Sequence, residues 1–448
     1  LVFLSELLSE NPSAEYDVSS EVGQFFSSMK ELSLDGPVLP GDQVSNQSRK
    51  LFMDRAGELA EVYRDQVYRG FSGESVSLTT KNIQAFVAQC IALLDDSIAA
   101  NRRPDGLYHS YNLLQIAENG YGVEQLQEML EGQVAVLSSG VLEPEQCLGL
   151  LDSLYASDMH RPDQDSYILS PAPAMPGFLE KNLIAPEMAA ANDRVQSERE
   201  AGLTDFIEQD ILGHYHFNGR FRNAGELKKA LEEERELHED TIDGACDLFE
   251  KVFSHRRFTG RSGAMYKYEG LGCIYWHMVS KLLLALTEIL PGIPAHQAEV
   301  RNGLLRHYDQ VKQSLGAHRN PADYGAFPID PYSHTPAFAG VQQPGMTGQV
   351  KEDFISRLAE LGVQVRDGRI GFLPGYLKRS EFSREAARWQ FMAEGEERAE
   401  ELQPDSLAFC ICGVPVIYRL QGSTGIRVYQ QDEPVLQLES TTLPAELS

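Results

Sequence analysis

Apolar residues recur at helical spacing through most of the chain and at strand spacing only towards its end. The helical pattern predicts helices at 49–69, 79–100, 108–118, 123–137 and 143–157, then at 225–236, 239–254, 270–290, 294–316 and 347–361. Several ends carry residues that start or stop a helix. Thr79 or Thr80 precedes one run, Glu143-Pro144-Glu145 opens another, and Pro291 lies just past a third. After residue 361 the period changes to two. Val363-Gln364-Val365 and Ile370-Gly371-Phe372 flank Asp367-Gly368, a hairpin signal because glycine supplies the positive φ of a tight turn. Further strands are expected at 388–394, 406–418 and 425–438. Residues 1–48 set short apolar stretches among Pro, Gly, Ser and Asn. The expected organisation is an irregular lead-in over 1–48, a helical domain over 49–361 and a β-rich region over 362–448.

Charge then narrows the partners. Across 448 residues, 39 basic and 66 acidic side chains give a formal charge of -27, which repels phosphate backbones and discourages anionic membranes. Neither nucleic acid nor membrane is an expected partner. The first apolar run is interrupted by Glu6 and Glu10, so no targeting segment is expected and the location read from the sequence is cytoplasmic. The chain opens on Leu1, which keeps an upstream domain of a longer protein among the expected partners. Six cysteines at 90, 147, 246, 273, 410 and 412 form no CxxC pair and read as reduced, mostly buried core residues. Cys410 and Cys412 share one face if the strand runs through both.

Long segments rich in aromatics, Pro and Gly lie at 158–182, 212–224, 255–269 and 318–346, and loops of such length are often functional. The stretch 258–272 delivers Glu269 to the mouth of an apolar helix, beside Tyr268, Tyr275 and Trp276. The helix dipole favours the Glu269 anion and burial favours its acid form, so a general acid and a plain helix cap both remain open. Asp105, Tyr108, His109 and Asn112 on a second polar loop suit sugar hydroxyls, or else mark a Pro-Asp-Gly turn. The 320–336 segment reads as a folded lid: Ser333, His334 and Thr335 suit an anion such as phosphate, and Asp323 or Asp330 suits a base. His214-Tyr215-His216 has metal-pair spacing but no third ligand nearby, so no metal is expected. No GxGxxG after a strand, GxxxxGK[ST], HExxH or GxSxG occurs, which leaves dinucleotide, P-loop, zincin and hydrolase-elbow chemistry without their usual support.

The helix at 347–361 followed by Gly362-Val363-Gln364-Val365-Arg366-Asp367-Gly368-Arg369-Ile370-Gly371-Phe372-Leu373-Pro374 resembles the toroid-to-β junction of the α/α-toroid glycoside hydrolases and disaccharide phosphorylases. The resemblance implies a mainly α fold, an α/α toroid of helical hairpins with a small C-terminal β region. It also implies cleavage or phosphorolysis of glycosidic bonds in an oligosaccharide or polysaccharide, with inorganic phosphate as co-substrate and no other cofactor. Two carboxylates are the minimum for that chemistry. Glu269 takes the acid role and Asp330 or Asp323 positions water or phosphate, while Asp105, Tyr108, His109, Tyr268, Trp276 and His334 shape sugar subsites. An epimerase or polysaccharide lyase using Tyr and His, and a non-catalytic helical scaffold binding a glycan or protein, are the other readings.

Overall fold

The computed structural model describes the chain except residues 36–43, 127, 172–177, 193, 198–205, 234–237, 254–271, 295, 328–330, 337–338, 345–348, 367, 394, 431–432 and 446–448. Fourteen α-helices and small antiparallel sheets of two or three strands make up the described residues, so the chain is mainly helical. It divides into two compact units. One comprises 1–170, 274–335 and 339–448; the other comprises 171–273 with 336–338.

In the first unit, residues 2–35 are not the irregular chain expected from their punctuation. They form the helix Val2–Ser9, the strand Glu15–Ser19 and the helix Ser20–Asp35. The strand pairs antiparallel with Ser75–Thr79, from Glu15 opposite Thr79 to Ser19 opposite Ser75. Each strand runs straight into a helix started by a hydroxyl: Ser19 Oγ accepts from Val22 N, and Thr79 Oγ1 accepts from Asn82 N. The helix Thr80–Ala100 is long and apolar enough to cross a membrane by length and composition alone. Here it packs on the helices Val2–Ser9 and Ser20–Asp35.

The helices expected at 108–118 and 123–137 are replaced by a hairpin, Asn112–Ala117 with Gly120–Gln125, followed by the helix Leu130–Ser138. Ala117 lies opposite Gly120, so Glu118 and Asn119 form a two-residue turn. A Cβ on Gly120 would lie 2.9 Å from the backbone of Asn46, so this side of the hairpin meets the start of the helix Asn46–Arg69 through a bare backbone. The helix Pro144–Ala156 begins where its capping signal lies, with Gln146 Oε1 accepting from Glu143 N at 3.0 Å.

After the helix Gln349–Glu360 comes a run of hairpins between neighbouring strands. Val363–Arg366 pairs with Arg369–Phe372, Ala387–Ala393 with Glu396–Leu402, Ser406–Ile411 with Val414–Arg419, and Ile426–Gln430 with Glu433–Leu438. The expected strand through both Cys410 and Cys412 ends instead at Ile411. Cys412 turns the corner at φ 49 beside Gly413 at φ 79, and both thiols are exposed rather than buried.

The second unit has its own apolar core, drawn from Ile184 to Phe249. The hairpin Ile207–Gln209/Tyr215–Phe217 and the helices Ala224–Glu232 and Glu239–Phe253 close over Phe206, Phe217, Phe249 and Phe253. The Phe217 ring stands 5.4 Å from Phe206 and 4.9 Å from Phe249, both edge-on. At the hairpin tip, the imidazoles of the His-Tyr-His triplet both turn to one carboxylate oxygen: Asp210 Oδ2 lies 3.3 Å from His214 Nδ1 and 3.1 Å from His216 Nε2.

Candidate functional site

A cluster of titratable groups in the first unit gathers at the start of the helix Trp276–Ile289. The strand Ile274–Tyr275 leads into it and pairs with Tyr332–Thr335, which pairs in turn with Gln342–Pro344. This register places His334 opposite Tyr275 and Thr335 opposite Ile274. Trp276 is fully buried, and its indole N–H donates to Thr335 Oγ1 at 2.8 Å. The ring of buried Tyr324 lies 5.8 Å from that of Trp276 and 5.9 Å from that of Tyr332. Gly316 makes this packing possible, because a Cβ there would lie 2.5 Å from the Tyr324 hydroxyl.

The helix Gln349–Glu360 packs against this one and turns its polar side inward. Gln349, Glu352, Ser356 and Glu360 are buried, whereas Val350, Phe354 and Ile355 are exposed. Glu352 Oε1 lies 3.2 Å from His277 Nε2 and 3.7 Å from Lys351 Nζ, while its Oε2 is buried without a hydrogen-bond partner. His277 Nδ1 lies 3.5 Å from the Tyr275 hydroxyl. Ser280 Oγ donates to Asp353 Oδ1 at 3.2 Å. Asp353 keeps solvent contact, yet the protein crowding its carboxyl pushes it up to about 6, with the nearby charge of Glu352 adding to the shift. Two turns along, Glu360 is held below the usual carboxylate range: burial acts to raise it, and bonds from Lys312, Tyr308 and Arg357 outweigh that.

Loops that stand out in the sequence converge here. Arg161 Nη1 donates to the Thr335 carbonyl at 3.1 Å, Gln164 Nε2 donates to the Asp323 carbonyl at 3.0 Å, and Arg319 donates to the Gln164 carbonyl. Asp323 itself is exposed in the helix Pro321–Tyr324, where its N–H donates to Asn320 Oδ1 and its carboxylate accepts from the Asn320 amide. His334 is buried, with Ser333 Oγ 2.7 Å from its Nδ1. Burial holds its imidazole below the ordinary range.

Asp105, Tyr108 and His109 form a cluster of their own. Arg103 grips the Asp105 carboxylate at 2.7 Å and, with the Leu107 N–H at 3.1 Å, holds it below the usual range. Gln133 brackets the backbone N–H and carbonyl of Tyr108, and His109 Nδ1 lies 2.9 Å from the Leu126 carbonyl. Glu269, Tyr268 and Asp330 lie outside the described residues. The register thus sets His334 opposite Tyr275, while Trp276 bonds to Thr335 and packs near Tyr324. Glu352, Asp353 and His277 were missed by the sequence reading. Their signal was a polar stripe, Gln349, Glu352, Ser356 and Glu360, at helical spacing.

A family model described as GH149 phosphorylase insertion domain 2 matches residues 175–256. No curated protein matches the chain. The matched segment lies within the second compact unit, 171–273, and contains the core residues from Ile184 to Phe249. Over that segment the chain resembles a glycoside phosphorylase family.

Proposed function

We propose that this chain belongs to the machinery of a glycoside phosphorylase, transferring a glycosyl unit between an oligosaccharide and inorganic phosphate. The single observation that carries this reading is the match of 175–256 to a phosphorylase insertion domain. The helical body is read as an α/α toroid, with the Trp276 cluster at its working mouth. In the forward direction a carboxylic acid gives its proton to the glycosidic oxygen as the C–O bond breaks. A phosphate oxygen then bonds to the anomeric carbon, and a sugar phosphate and a shortened sugar leave. Asp353 suits the acid, because a carboxyl raised to about 6 retains its proton closer to neutrality than an ordinary aspartate. Glu352 is buried against His277 and suits a positioning role. Ser333 and His334 supply neutral donors for phosphate.

Glu269, the acid chosen from sequence, is the competing assignment, with Asp323 or Asp330 placing phosphate. The test is phosphate-dependent release of sugar phosphate from a panel of oligosaccharides. Asp353→Asn should lower kcat by about 10²–10⁴-fold, the usual worth of a general acid. Activity of the wild type should fall as pH rises through about 6, where Asp353 loses its proton. A near wild-type rate in Asp353→Asn together with a collapse in Glu269→Gln would transfer the role to Glu269. A second reading, epimerisation or elimination, draws on the Tyr275–His277 contact at 3.5 Å. An unsaturated, ultraviolet-absorbing product would favour it.

A further inference from the structure

The hairpin Ala387–Ala393/Glu396–Leu402 carries a stacked pair of aromatic rings. Trp389 and Phe391 are two residues apart on one strand and therefore share a face. Their rings stack at 4.3 Å with an interplanar angle of 26°. Each covers one face of the other, which fixes both, and both side chains stay partly exposed. Neither belongs to the buried cluster of Leu361, Phe382 and Leu407 nearby in sequence. Directly across the ladder on the same face lie Glu400, opposite Trp389, and Arg398, opposite Phe391.

We propose that the Trp389–Phe391 stack is a carbohydrate-binding subsite that takes the apolar face of a neutral pyranose unit, with Glu400 and Arg398 meeting its hydroxyls. A pyranose ring offers a C–H face that fits an aromatic plane and a rim of hydroxyls that fits charged donors and acceptors. A pre-stacked pair loses little freedom when a third ring-shaped group is added. Charge selects among ligands that stack. The facing strand holds Glu396, Glu397, Glu400 and Glu401 against one Arg398, which repels nucleic acid and anionic lipid and leaves a neutral polyol unopposed. The choice of a sugar as occupant rests on the glycoside phosphorylase reading given above.

The chain has two tryptophans, one buried and bonded to Thr335 and one on this hairpin, so an indole ¹⁵N–H spectrum has one signal for each region. Trp389→Phe assigns them. Titrating the full chain with glucose hexamers of α-1,4, β-1,4 and β-1,3 linkage should move the Trp389 signal saturably with at least one. Phe391→Leu, with the Trp276 signal unchanged as proof of folding, should weaken that response about ten-fold, the scale of one lost aromatic contact. A Trp389 signal that ignores every hexamer, or an unchanged midpoint in both Phe391→Leu and Glu400→Gln, overturns the proposal. Response at Trp389 without phosphorolysis of any hexamer would leave the subsite standing and remove the catalytic reading. Phosphorolysis with a silent Trp389 would do the reverse.

Discussion

Two helices, one in each compact unit, bury opposite kinds of surface. In the unit at 171–273 the helix Glu239–Phe253 turns Ile242, Ala245, Leu248 and Phe249 inward, as its apolar spacing dictates, and the core closes over phenylalanines. In the other unit the helix Gln349–Glu360 turns Gln349, Glu352, Ser356 and Glu360 inward and leaves Phe354 64% exposed. Burying carboxylates and hydroxyls opposes folding unless each finds a partner, and Glu352 Oε2 and Ser356 Oγ have none. Apolar burial of this kind stabilises; the inverted helix spends stability on placing polar groups beside His277 and Ser280.

The strongest way to break the comparison is Phe217→Ala. Removing a ring packed against Phe206, Phe249 and Phe253 should cost about 3–5 kcal/mol, read by denaturant unfolding of the full chain, while the Trp276 fluorescence of the first unit keeps its native midpoint. Loss of both signals together would mean that the units unfold as one. A smaller effect is expected from Thr335→Val, which strands the buried indole N–H of Trp276; about 1–3 kcal/mol should be lost, read in the same experiment as a shift of the Trp276 midpoint. Smallest of all should be Phe354→Ser, within about 0.5 kcal/mol, because the side chain is open to solvent. A larger loss in thermal melts would show that the apolar stripe is covered in solution and that the inversion is only apparent.

What the sequence discloses follows the range of the interactions involved. The helix expected at 143–157 is found at Pro144–Ala156 because its start is written locally, in Glu143 and Gln146. The hairpin at 363–372 follows from Asp367-Gly368 for the same reason, with Gly368 at φ 67. Pairings between distant segments leave no such mark. Nothing in residues 15–19 names 75–79 as a partner, and the strand was missed. At 112–125 the alternation of Leu, Ile, Tyr and Val can be read at either period, and the Glu118-Asn119 turn decides it. The same limit applies to the site. Tyr275 and His334 stand out singly as an aromatic and an imidazole near Gly- and Pro-rich loops, but only strand register sets them opposite one another. The buried face of Gln349–Glu360 escaped because helical periodicity is read from apolar residues, and that face is polar.

The interrupted course of the first unit also sets a clock on its assembly. The helix Trp276–Ile289 packs on Leu130–Ser138, so the two halves of that core are separated by the whole of 171–273. At about 5–20 residues per second of synthesis, the earlier half waits several seconds for its partner, while the inserted unit, whose core lies between Ile184 and Phe249, completes itself first. The terminal hairpins, each formed by strands adjacent in sequence, then close within about 1–10 μs of emerging. Through that interval Leu130, Val134, Val136 and Leu137 wait without the helix Trp276–Ile289 that packs on theirs.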